Sequence, residues 1–272
     1  MNDELQNYRF CFQSYGVPVL VESNDPEILR QARITARSAL LNNLTQIDAE
    51  TTRQRFSLIK TNKEICKIIQ NGEQMIADGP GPRFWKFFDS LVRILVAEHA
   101  RSVVFVHAGA IGWRGKAIVF PGDSFQGKTT LVAELVRRGA TYYSDEYAIF
   151  DSDGRVLPFA RPLALRSDEG LIFETPVTAA ELGAETGTEP IESRVFIFTK
   201  YDPGAVWEPE FLTPGQAIVE IVAQTIPIRV NPEFAINVLK KATGNAIIAK
   251  SPRRDAAEFA EKFLEFVDNT AF

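Results

Sequence analysis

The chain is poor in several things, and each shortage removes a class of protein. Cysteine occurs only at Cys11 and Cys66 in 272 residues. Both fall in strand-like stretches far apart, which suits buried thiols in a reducing compartment and not a disulfide framework. Histidine occurs only at His99 and His107, too few for a zinc site built from His and Cys; an oxygen-ligated Mg²⁺ is the metal to expect. Positive charge is not in excess. Against 30 Lys and Arg stand 35 Asp and Glu, for a net charge of −5, so no overall field draws the chain to nucleic acid or to an anionic membrane. No stretch reaches ~18 uninterrupted apolar residues. The opening Met1-Asn-Asp-Glu4 lacks the basic start of a signal peptide. The expected location is the cytoplasm. There is no internal repeat and no low-complexity tract.

What remains is an ordinary globular composition, 45% hydrophobic and 24% charged with 15 Pro and 17 Gly, long enough for one large domain or two small ones. Tyr8 to Ser23 alternates around a Tyr15-Gly16 turn and reads as a hairpin. Asp25 then caps a helix with Pro26 at its first position, running to about Asn42. Arg55 to Ile59, Glu64 to Ile69 and Glu73 to Ala77 read as strands. Asp78-Gly-Pro-Gly-Pro82 continues neither regular structure and marks a loop. Arg83 to Ala100 follows as an amphipathic helix whose stripe includes Phe84, Phe88, Leu91, Val92 and Leu95. Val103 to Ile111, a Trp113-Arg-Gly115 turn and Lys116 to Phe120 read as two tightly joined strands. Tyr142 to Phe150, Arg155 to Phe159 and Arg194 to Thr199 are further strands. Thr213-Pro214 and Asn231-Pro232 each open a late helix. Asn245 to Lys250 is a last strand and Asp255 to Val267 a terminal helix. The expectation is an α+β region over residues 1–100 and an α/β domain over 101–272 with a mixed sheet flanked by helices.

Gly122-Asp-Ser-Phe-Gln-Gly127-Lys128-Thr129 fits G-x-x-x-x-G-K-[ST] between a strand and a helix, the context a phosphate-binding P-loop requires. The segment Gly122, Asp123, Ser124, Phe125, Gln126, Gly127, Lys128, Thr129 and Thr130 is therefore the candidate nucleotide site. Its amides and the helix N-terminus would wrap the β-phosphate, Lys128 would neutralise the β- and γ-phosphates, and the Thr129 hydroxyl would ligate Mg²⁺. Phe125 stands where such loops often carry glycine, and a positive φ there would cost about 1 kcal/mol or more. Downstream, Asp145 and Glu146 are adjacent acids that end or interrupt a strand. Beside a bound Mg²⁺ one would serve the metal and the other would accept a proton from an attacking hydroxyl.

The run from His107 through Gly122-Asp-Ser, then Gly127-Lys-Thr, Leu135-Val-Arg-Arg-Gly139 and Ser144-Asp-Glu146 resembles the catalytic domain of HPr kinase/phosphorylase and its kinase-like relatives. The resemblance spans roughly Val103 to Phe150, is weaker through Leu165, and is architectural elsewhere. It implies a P-loop kinase core of the HPr kinase/PEP carboxykinase-like type, using ATP and Mg²⁺ to phosphorylate a hydroxyl of a protein, peptide or small molecule, most plausibly a serine. It places His107 near the acceptor, makes Asp145 the general base, and sets Glu146 where the family has a second aspartate. Lys128 is then the phosphate-neutralising catalytic group, and Thr129, Glu146 and Asp145 are the residues at the metal. Relatives assemble, which allows a homo-oligomer. The downstream glycine-rich and asparagine-arginine signature of true HPr kinases is absent, so HPr itself is not the implied substrate. Arg161 and Arg166 are candidates for a phosphate clamp, and ordinary surface arginines are the plainer alternative.

Two other readings use the same loop. In one, Thr199-Lys-Tyr-Asp202 reads guanine and Asp151-Ser-Asp-Gly154 is a D-x-x-G switch, although the latter is more simply a hairpin turn. In the other the chain binds ATP as a sensor or assembly factor and transfers nothing.

Overall fold

A computed structural model describes residues 8–48, 52–62, 65–123, 126–166 and 174–271. The chain divides into two compact units, Met1–Ser102 and Val103–Phe272. No helix among the described residues is long and apolar enough to cross a membrane.

In the first unit, β1 (Tyr8–Ser14) and β2 (Val17–Ser23) pair in register through a turn in which Tyr15 and Gly16 both have positive φ, the geometry of a two-residue hairpin. Helix α1 (Pro26–Ala39) starts where the Asp25 side chain accepts from the amides of Glu27 and Ile28, satisfying donors that a helix start leaves open. It carries the chain across to β4 (Gln54–Lys60), which lies parallel to β2. β5 (Cys66–Gln70) and β6 (Glu73–Asp78) continue as an antiparallel meander, and the short β3 (Thr45–Gln46) adds to β1. Helix α2 (Pro82–His99) follows the Gly-Pro loop. Its stripe of Phe84, Phe88, Leu91, Val92 and Leu95 shares one core with Ile28, Leu29 and Ala32 of α1 and with Phe12, Val21, Phe56 and Leu58 of the sheet. Cys11 and Cys66 are buried and free in β1 and β5.

The second unit is built on an eight-stranded mixed sheet. β7 (Val104–Trp113) turns back through Arg114 and Gly115, both at positive φ, into β8 (Lys116–Pro121). β14 (Ile191–Phe198) lies parallel to β8, and β16 (Ile247–Lys250) parallel to β14. On the other side of β7 run β9 (Thr141–Ser144) and β10 (Tyr147–Phe150), both antiparallel to it. β11 (Arg155–Leu157) pairs with β10 and also with the start of β14, so β11, β10, β7, β8 and β14 close upon themselves. A separate hairpin joins β12 (Leu163–Arg166) to β13 (Glu174–Val177), and β15 (Glu210–Phe211) edges β16.

Alternation along the central strands sorts side chains to two faces. Ile118, Phe120, Val195 and Ile197 meet helix α3 (Lys128–Arg137) and helix α6 (Ala256–Ala271). Ala117, Val119, Phe196 and Phe198 meet helix α4 (Pro214–Val222) and helix α5 (Pro232–Thr243). The result is a helix–sheet–helix sandwich. Thr213 forms a full capping box with Gln216 at α4, whereas the Asn231 side chain makes no capping bond at α5.

One stretch refines the sequence reading and another bears it out. Tyr142 to Phe150 is not one strand: the Ser144 hydroxyl accepts from the amides of Glu146 and Tyr147 at 3.2 and 3.1 Å, turning the chain out of the ladder at Asp145 and Glu146. Local side-chain bonds of this kind compete with strand pairing. Asp151 to Gly154 forms the turn between β10 and β11. Gly154 there has φ +81, and a Cβ on it would lie 2.5 Å from the backbone nitrogen of Ala242. Gly154→Ala combines left-handed strain with a clash against main chain, so we expect a loss of roughly 2–4 kcal/mol and a melting temperature lower by roughly 5–15 °C in a thermal scan. A variant melting within a degree of the parent would refute the assigned turn geometry.

Candidate functional site

β8 delivers the chain at Pro121 to the motif segment, and α3 takes it up at Lys128. Between them Gly127 sits in the left-handed region at φ +79 and ψ 21. Any side chain there would be strained, and its Cβ would fall 2.7 Å from Arg253 Nη2; glycine is the residue that fits. Gly127, as N-cap, offers no side chain to the first-turn amides of α3, and a helix start of this kind is where anions bind.

Lys128 is only 7% exposed. Its Nζ donates to the carbonyls of Gly122 at 2.8 Å and Asp123 at 2.6 Å, folding back along the segment. Burial pushes its pKa down to about 8, against the pull of Asp123 and Asp145. The Asp123 carboxylate is pinned by amides: Gln224 Nε2 donates to it at 3.0 Å and Gln126 Nε2 at 3.3 Å.

Thr129, in the first turn of α3, lies near enough to Asp145 to favour its ionised form. The Tyr142 hydroxyl lies 2.8 Å from Asp145 Oδ1 and also 2.8 Å from the Arg161 carbonyl. Burial holds the Asp145 carboxyl above its usual range, although Tyr142, Thr129 and Lys128 all favour its ionised form. The phenol has one proton for two acceptors. When Asp145 is protonated it can donate to the phenol oxygen while the phenol donates to Arg161. Glu146 points elsewhere, its carboxylate 3.9 Å from Arg161 Nε.

His107 stands on β7 opposite Tyr147. Its amide donates to the Gln224 carbonyl at 2.8 Å and its carbonyl accepts from the Gly122 amide at 3.3 Å. Burial, then the nearby Lys128 charge, push its pKa down to about 4, so the imidazole is neutral at pH 7.

Gly122, Asp123, Gln126, Gly127, Lys128, Thr129, His107 and Asp145 thus come together at the carboxyl end of β8, with Thr130 next in the first turn of α3. Ser124 and Phe125 lie outside the described residues, as does the Arg166 side chain. Of the two acids it is Asp145 whose ionised form Thr129 and Lys128 favour; Glu146 faces Arg161. Among the described residues no group of three or more His, Cys, Asp or Glu forms a ready metal cage. Mg²⁺ held between one or two protein oxygens and a ligand's phosphates needs none, and a Thr hydroxyl beside a carboxylate is an oxygen-only donor set suited to it.

Two neighbours escaped the sequence reading. Gln224 follows α4; its carbonyl accepts from the His107 amide and its side-chain amide donates to Asp123. Arg253, 2% exposed, donates from Nη2 to the Gly127 carbonyl at 2.7 Å and from Nη1 to Arg254 at 2.9 Å, while its buried Nε has no partner. Its own amide donates to the Lys200 carbonyl, and the Tyr201 amide donates to Gln126, so residues 200–202 and 253 brace the segment at its helix end. No local pattern announces a contact 126 residues away. No family model matches the chain, and no curated protein matches it.

Proposed function

We propose that the chain is an ATP-dependent kinase that moves a γ-phosphoryl group to a hydroxyl, most plausibly a serine of a protein or peptide. One observation carries the reading: the buried ammonium of Lys128 folds back along the motif segment onto the Gly122 and Asp123 carbonyls at the start of α3, and its charge and Thr129 both favour the ionised form of Asp145. The HPr kinase-like resemblance of residues 103–150 points the same way. Lys128 and the first-turn amides hold the donor's phosphates. Thr129 and Asp145 are the oxygen donors that would hold Mg²⁺, which would supply charge neutralisation at the transferring group; Glu146, facing Arg161, is not placed to join them. Asp145 takes the proton of the acceptor hydroxyl as its oxygen bonds to the γ-phosphorus; the bond to the bridging oxygen breaks and its electrons leave on ADP. A pKa above the ordinary carboxylate range suits a general base. His107, neutral and bonded to the start of the loop, positions the segment beside the acceptor.

The two shifted groups fix the pH dependence. Asp145 must be ionised to act, so kcat/KM falls as pH drops through its raised pKa, above the ordinary ~3.9 of aspartate. Lys128 must be charged to hold phosphate, so affinity falls as pH rises through about 8. Binding MgATP at pH 8.5 should therefore take up about half a proton or more, and at pH 6.5 almost none. Calorimetry in buffers of different ionisation heat reads this directly. Equal uptake at both values, or uptake that survives Lys128→Arg, would contradict the role of Lys128.

The direct test is transfer of labelled γ-phosphate to candidate serine peptides, proteins and hydroxylated metabolites. Label should appear on one acceptor and vanish in Asp145→Asn. If ATP binds and no acceptor is ever labelled, the kinase gives way to a sensor.

A further inference from the structure

A cavity of about 480 Å³ opens beside the motif segment, with Asp123 and Gln126 on one wall and Phe198, Thr199, Asp202 and Pro252 on another. Its volume lies within the roughly 300–1,000 Å³ usual for small-molecule sites. Its place is set by topology. β8, β14 and β16 are parallel neighbours, and the cavity lies just past their carboxyl ends, where open α/β sheets take ligands. Asp145 follows β9 on the β7 side of β8, and no residue from 142 to 146 lines the cavity. A hydroxyl acceptor must reach Asp145; the occupant of this cavity need not.

The walls pair apolar surface with a few polar groups. Phe198 and Pro252 contribute apolar surface to the lining, and Asp202 has one carboxylate oxygen committed to the Gly204 amide at 2.9 Å. The hydroxyl oxygen of Thr199 is buried with no partner, an expensive state that the fold itself does not relieve. The Tyr201 amide donates to the Gln126 carbonyl at 3.3 Å, so this wall is tied to the segment that would hold the phosphates.

We propose that this cavity takes the base and ribose of the nucleoside triphosphate, making the site selective for nucleotides over bare polyphosphate. The inference rests on the reading that residues 122–130 bind the phosphates, and the two can fail separately. The probes are MgATP and magnesium tripolyphosphate, titrated calorimetrically into the full chain and into Thr199→Val and Lys250→Trp. The first variant removes the unpartnered hydroxyl at constant shape, and the second sets an indole at an exposed position on the cavity rim. The parent chain should bind MgATP at least about tenfold tighter than tripolyphosphate. Lys250→Trp should weaken MgATP about tenfold or more and Thr199→Val several-fold, both leaving tripolyphosphate within about twofold. If the parent binds the two ligands equally, or the variants shift both alike or neither, the cavity assignment falls while the phosphate site stands. If the parent binds neither ligand, the phosphate reading falls and takes the cavity with it.

Discussion

Lys128→Ala will abolish the rise in melting temperature that ATP and Mg²⁺ give the parent chain. At a hundred times its dissociation constant a ligand stabilises by about 2.7 kcal/mol, which for a unit of this size is a shift of roughly 5–10 °C. The Lys128 ammonium is buried along the segment and bonded to the Gly122 and Asp123 carbonyls. Its removal takes a cation from the cradle and leaves two carbonyl groups without their donor. Lys128→Met keeps the aliphatic stem and separates loss of charge from loss of packing; it should lose the shift as completely. A shift in either folded variant as large as in the parent would end the phosphate assignment.

Asp145→Asn should lower phosphoryl transfer by about 10²–10⁴-fold, the usual worth of a positioned general base, with MgATP affinity little changed. The amide keeps the shape and can still accept from Tyr142, so the scaffold is preserved. Because the native carboxyl is held above its ordinary range by burial, the substitution also removes a costly buried charge, and the variant should be no less stable than the parent above that pKa. Transfer at the parental rate would remove Asp145 from the reaction. A parallel loss of MgATP affinity would move it to the metal, leaving the proton to another group.

Much of the frame could be read from local pattern. The α1 start follows from Asp25-Pro26, the β1–β2 turn from Tyr15-Gly16, and the flanks of the motif segment from alternation before it and helical spacing after it. That the acid pair Asp145-Glu146 ends or interrupts a strand was legible; the cause was not, because it is one serine hydroxyl taking two amides that a ladder would otherwise use. The contacts that shape the site are the least legible. Gln224 reaches Asp123 across 101 residues and Arg253 reaches Gly127 across 126. Periodicity reports which face of an element is apolar; it carries no information on which distant polar group will satisfy a carbonyl. Closure of β11 on β14 is hidden for the same reason, resting on two residue pairs.

That closure bears on how the second unit's sheet behaves in a crowded solution. A β-sheet rim with free amides and carbonyls invites strands from other molecules. Here one rim is consumed by the ring itself, and β9 is covered by the stretch around Glu185 and Gly187, which exchanges backbone bonds with Tyr142. The other rim ends in β15, two residues long, too short a template to seed intermolecular strand growth.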